Sequence, residues 1–175
     1  MLFEVYGPFT LPRQESGLID VSREKKKSFL EDIEKVRSGL SKSHGCYVFG
    51  LASGRGALPW YVGKAEKLSF SDEMLTPTKL LHYNNVLAGR RRGKPVVYLI
   101  ARVTPSGRLC RPGANATVAF LETMLIGIGM QRNAELRNRK DTRLLRELKV
   151  RGVINSKQGH PGRPAVQLKA LLDMG

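Results

Sequence analysis

Cysteine is nearly missing from this 175-residue chain: only Cys46 and Cys110 occur. They form no Cys-x-x-Cys pair and share no ligand spacing with His44, His82 and His160, which argues against both a disulfide scaffold and structural zinc. Long hydrophobic runs are missing too. The most apolar stretch, residues 118–130, is interrupted by Glu122 and Thr123 and falls short of the roughly 20 residues a membrane helix needs. The opening Met1-Leu2-Phe3-Glu4 has neither the basic start nor the small-residue cleavage site of a secretory signal, so a cytoplasmic protein with no membrane partner is expected. Acidic residues are scarce: 15 Asp plus Glu face 30 Lys plus Arg, leaving a formal net charge of +15. Self-repulsion of that size is relieved most simply by a polyanion. The basic residues are not stacked opposite one clean apolar helical face, so nucleic acid suits them better than a membrane surface.

What is present reads as an α+β fold. Residues 2–12 mix apolar positions with Pro8 and Pro12, which suits an edge strand or a docked arm. Residues 21–40 carry Phe29, Leu30, Ile33 and Val36 at helical spacing with Lys25, Lys26 and Lys27 on the other side. Two β-rich runs, 45–51 and 60–63, flank a turn-rich segment and predict a hairpin. Pro77 should split residues 69–87 into two helical pieces, because proline cannot donate a backbone bond inside a helix. The continuous apolar run 96–101 predicts a central strand buried on both faces. Thr117 is a candidate cap for an apolar helix over 118–130, a basic helix is expected near 142–150, and a short closing helix at 164–172. There is no internal repeat or low-complexity tract. The expected architecture is a small central mixed or antiparallel sheet flanked by helices, with an N-terminal helical extension. It is taken as a single domain over 1–175: arm and helix at 1–43, core at 44–140, basic helix and tail at 141–175.

Glu122 is the only charge in the stretch 118–130, and burying it unpaired would be costly. It either lies on an exposed stripe or pairs with an arginine, or it binds a divalent metal. Magnesium accepts one or two protein carboxylates and completes its shell with water and phosphate oxygens, so one glutamate facing a basic groove suffices. Tyr47 and Tyr61 lie in the two strands of the predicted hairpin. Either alone is ordinary for a half-buried strand.

Together, Gly45-Cys46-Tyr47 and Tyr61-Val62-Gly63 resemble the paired motifs that name the GIY-YIG nuclease family. Cys46 stands where isoleucine is usual, and Val62 replaces isoleucine conservatively. Lys64-Ala65 follows the second motif as in many members; the segment from Leu121-Glu122 to Leu125-Ile126 resembles the family's metal-binding helix, and Asn138 the asparagine found after it. The resemblance covers about residues 45–138. It implies a metal-dependent endonuclease that hydrolyses DNA phosphodiester bonds, with Glu122 holding one Mg2+ or Mn2+. It also implies that Tyr47 positions or deprotonates the attacking water, that Tyr61 bonds the phosphate and that Asn138 steadies a neighbouring strand or loop. Cutting both strands of a duplex would suit a homodimer.

One departure stands out. The family's arginine, about eight residues past the glycine of the second motif, falls here on Ser71. A cation could come instead from Lys64, or from Lys79 with His82 on the same helical face. Lysine lacks the bidentate fork of arginine and neutralises phosphate with less geometric definition. The other basic residues suit phosphate contacts: Arg90, Arg91, Arg92 and Lys94 around a glycine-flanked loop, and Arg132, Arg137, Arg139, Lys140 and Arg143 after the apolar helix. The alternative is a non-catalytic basic nucleic-acid-binding protein on the same scaffold. A basic structural factor comes third, because it leaves the tyrosines and Glu122 unexplained.

Overall fold

The computed structural model describes residues 1–54, 56–88, 93–138, 147, 150, 153 and 162–171. Two compact units divide the chain, Met1–Arg137 and Asn138–Gly175. The first holds a four-stranded sheet in the order β1-β4-β2-β3, every pairing antiparallel. The sheet is therefore antiparallel rather than mixed.

β1 (Leu2–Thr10) is an edge strand on β4 (Lys94–Val103), as one of the two readings of the N-terminal segment expects. β2 (Gly45–Ser53) and β3 (Gly56–Ala65) form the hairpin, and β4 lies inside the sheet between β1 and β2. The register pairs Tyr47 with Gly63, Phe49 with Tyr61, and Cys46 with Lys64. It shifts between Phe49 and Gly50, leaving Trp60 as the extra residue of a bulge on β3.

Because side chains alternate across a strand, the pairing sorts the hairpin into two faces. Tyr47, Phe49, Tyr61 and Ala65 enter the main core with Val97, Leu99 and Ala101 of β4. That face is covered by α1 (Arg23–Val36) through Phe29 and Ile33, by the short α2 (Phe70–Glu73), and by α3 (Pro77–Leu87) through Tyr83, Val86 and Leu87. Pro77 starts α3 rather than kinking a single long helix, where its missing N–H costs nothing.

The opposite face, bearing Cys46, Val62 and Lys64, is covered by α4 (Ala116–Arg132). Gly129 lets α4 approach closely: a Cβ there would stand 3.3 Å from Leu136 Cδ2 and 3.9 Å from Val62 Cγ2. Beyond α4, the Asn133 amide donates to Pro59 O at 2.8 Å and the Arg137 N–H to Trp60 O at 2.8 Å, tying the helix to the bulge. The helix is capped two residues earlier than expected. Asn115, not Thr117, is the N-cap, and its side chain accepts the Thr117 N–H at 3.0 Å. In the second unit, α5 (Arg163–Leu171) lies where the closing helix was expected. The basic helix expected near 142–150 falls largely outside the described residues.

Candidate functional site

Gly45 opens β2 because no other residue fits. At φ +153° a Cβ would overlap the Ile100 carbonyl of β4 and stand 3.1 Å from Ala101 Cα. Gly63 is required for a different reason: its Cβ would stand 2.7 Å from Tyr47 Cε2 and nearer still to Cζ and Oη. The glycine of the second motif thus makes room for the tyrosine of the first. Tyr47 is fully buried, its ring centroid 6.3 Å from that of Tyr61.

Tyr61 is the centre of this face. Lys79 Nζ, from the first turns of α3, donates to Tyr61 Oη at 3.0 Å and lies 5.5 Å from the ring centroid. His82, one turn on, stacks on the same ring with centroids 5.1 Å apart and planes 16° apart. Tyr83 meets Tyr61 edge-on at 5.9 Å and stacks on Phe49 at 4.3 Å. Glu73, at the end of α2, reaches Lys79 Nζ at 3.3 Å. Burial opposes the Lys79 charge, but the Tyr61 hydroxyl and Glu73 outweigh it and hold its pKa above the ordinary lysine value. A protonated lysine therefore serves the tyrosine of the second motif.

The phenol of Tyr47 stays neutral. Burial, followed by Tyr83, Tyr61 and Glu73, pushes its pKa well above the ordinary value. Tyr83 is raised in the same direction, mainly by burial. The two hydroxyls act on one another but make no hydrogen bond of good geometry. Tyr47 is closed to solvent, and burial holds its phenol in the protonated form.

A second cluster occupies the other face. Lys64 Nζ lies 3.3 Å from Glu66 Oε2 and 3.6 Å from Glu122 Oε2, so two carboxylates from separate elements converge on one ammonium. Burial opposes the Lys64 charge, but Glu122 and Glu66 prevail and raise its pKa. Glu66 is fixed by the Asn115 N–H, which donates to Oε1 at 2.7 Å and is the main reason its pKa is lowered. Cys46 lies beneath with Sγ 3.4 Å from Val118 O; burial, then Glu122, pushes its thiol up to about 12, so it is inert. His44 Nδ1 is 3.4 Å from Glu66 O.

The expected residues thus separate into two groups. Tyr47, Tyr61, Lys79 and His82 come together on one face; Lys64 and Glu122 come together on the other. Asn138 opens the second unit and is buried. The Ser71 hydroxyl, in the slot where an arginine is usual, is buried and bonded to Ser69 at 2.9 Å and Lys42 at 3.1 Å. Glu73, Glu66 and Tyr83 were not anticipated. Glu66 follows Lys64 at strand spacing, a signal for a shared face; nothing in the sequence links Glu73 to Lys79 across the break before Pro77. Lys94, Arg132 and Arg137 are exposed. Arg90, Arg91, Arg92, Arg139, Lys140 and Arg143 lie outside the described residues.

Among the described residues no three His, Cys, Asp or Glu side chains gather as a metal cage. Magnesium asks for less, and the pair Glu122 and Glu66, already converging on a cation, fits its preference for one or two carboxylates with water completing the shell. No helix of the described residues is long and apolar enough to cross a membrane. Comparison of the chain with protein-family models, with curated proteins and with solved structures gives no match.

Proposed function

We propose that the chain is a metal-dependent endonuclease hydrolysing DNA phosphodiester bonds at the free edge of β3. The observation that carries this reading is the Lys79 Nζ to Tyr61 Oη hydrogen bond of 3.0 Å, which gives the second tyrosine a cationic partner in a chain whose expected arginine is absent. Tyr61 would donate a hydrogen bond, keeping its proton, to a phosphate oxygen, while the Lys79 ammonium donates to the Tyr61 oxygen and polarises that hydroxyl. Loss of one such preorganised donor typically costs about 100- to 1,000-fold in rate. Tyr47 and Tyr83 form the floor beneath Tyr61, and His82 holds the ring from the side. Glu122 and Glu66 would hold Mg2+ or Mn2+, which when bound supplies Lewis-acid stabilisation of phosphate.

Among the described residues β3 pairs only with β2, so it is an edge strand of the sheet. Tyr61 and Lys64 are three residues apart along it, about 10 Å at strand rise, roughly the axial length of three base steps. A nucleic-acid strand crossing that edge meets the tyrosine group on one side and the lysine–glutamate group on the other.

The experiment is cleavage of supercoiled plasmid and of branched DNA by purified protein with Mg2+ or Mn2+. Wild type nicks or cuts; Tyr61→Phe and Glu122→Gln fall at least about a hundredfold. Undiminished cleavage by both variants overturns the site. The second reading, a non-catalytic nucleic-acid-binding protein, is favoured by the buried Ser71 hydroxyl in the arginine slot. Metal-independent binding with no cleavage of any substrate would establish it.

A further inference from the structure

Tyr61 Oη can donate one hydrogen bond, and a lysine ammonium has donors only. In the Lys79–Tyr61 hydrogen bond the phenol oxygen is therefore the acceptor, and the phenol proton remains available for another group. What keeps the ammonium there is visible on α2. Glu73 closes that helix and holds Lys79 Nζ at 3.3 Å, with both side chains about one-fifth exposed. Lysine otherwise carries its charge on a flexible four-carbon stem and defines direction poorly.

We infer that Glu73 is a positioning residue for the tyrosine site, fixing the Lys79 ammonium on Tyr61 so that the Tyr61 proton is turned outward to a non-bridging phosphate oxygen. The inference rests on the proposed phosphodiester chemistry and adds a residue to it. Glu73 does not touch substrate; it acts through Lys79. The titratable groups that act on Lys79 are Tyr61 from β3 and Glu73 from α2; His82 and Tyr83 from α3 lie against the Tyr61 ring, and Tyr47 of β2 interacts with Tyr61 and Glu73. Glu73 is the one carboxylate that forms an ion pair with Lys79 among the described residues.

The test follows the Lys79 ammonium by 15N NMR in the whole protein, alongside cleavage kinetics. In Glu73→Gln the Lys79 titration midpoint falls toward the ordinary lysine value, and kcat drops about tenfold with KM changed less than about twofold. Glu73→Asp recovers most of both. In a Lys79→Met background Glu73→Gln causes no further loss, because the two act as one unit. An unshifted Lys79 titration overturns the inference, as does an equal loss in the Lys79→Met background. If wild type cleaves nothing, the nuclease reading fails, while the Lys79 midpoints still decide whether Glu73 governs that ammonium.

Discussion

The ring of Tyr47 lies directly over the Cα of Gly63 on the neighbouring strand, with no room for a Cβ between them. The two motifs are therefore coupled by packing as well as by chemistry. Gly63→Ala forces the ring of a fully buried tyrosine out of its place, and overpacking of this kind costs about 1–3 kcal/mol. Urea unfolding followed by the fluorescence of Trp60, the single tryptophan and itself on β3, should show that loss. A midpoint equal to wild type means that the ring has space to move.

Tyr47→Phe should behave differently. Its hydroxyl is buried without a well-formed partner, so deleting it removes an unsatisfied group and leaves stability unchanged or raises it by up to about 1 kcal/mol. The variant should also keep far more cleavage than Tyr61→Phe, whose hydroxyl is held by Lys79. A loss as large as that of Tyr61→Phe would return Tyr47 to the chemistry itself.

The hairpin, the interior strand, the break at Pro77 and the closing helix were all legible, because period-2 patterning, turn residues and a proline state their structural demands locally. The separation of Lys64 and Glu122 from Tyr61 runs against the expectation that the two tyrosines, the lysines and Glu122 meet at one site: three residues along a strand point to opposite faces. Similarity of motif groups Lys64 with Tyr61, and only strand geometry divides them. Glu122 inside an apolar helix pointed to a partner or a metal, and Lys64 is the partner at 3.6 Å. The Glu73–Lys79 pair could not be read, because the chain turns between two helices and no sequence period spans the turn. Asn115 as the cap of α4 was obscured by Thr117, an equally good capping residue two positions on.

His44 gives the fold a pH dependence with a definite sign. Burial is the main cause that lowers its pKa, assisted by Arg102 and opposed by Glu66. The folded protein resists a proton that the unfolded chain accepts near pH 6.5, so this contribution is intact above that value and is lost as pH falls through it. One such proton changes stability by at most about 1.4 kcal/mol per pH unit. Urea midpoints between pH 7.5 and 5 should fall more steeply for wild type than for His44→Gln. Parallel curves would assign the acid sensitivity to other groups.

Lys64 occupies the place where Glu66 and Glu122 converge, and a divalent cation arriving there must compete with its ammonium. Lys64→Met leaves two carboxylates facing one another without that counter-charge, which favours an incoming metal. Mn2+ binding measured by electron paramagnetic resonance should tighten roughly tenfold, about 1.4 kcal/mol, and adding Glu122→Gln should abolish the gain. Unchanged affinity in Lys64→Met would mean that the metal does not enter between these carboxylates.

Of the basic residues expected to contact phosphate, Lys94, Arg132 and Arg137 lie among the described residues, and all three are exposed. Arg137 is anchored through its backbone N–H to the β3 bulge, which keeps it near the edge proposed to receive the nucleic-acid strand. Each phosphate neutralised contributes about −0.9 to the slope of log affinity against log salt. Replacing all three by alanine should therefore flatten that slope by roughly 1 for every phosphate these side chains neutralise, with weakening similar across unrelated DNA sequences. A slope that does not change would show that these side chains face solvent alone, and that the net charge of +15 engages its polyanion elsewhere on the chain.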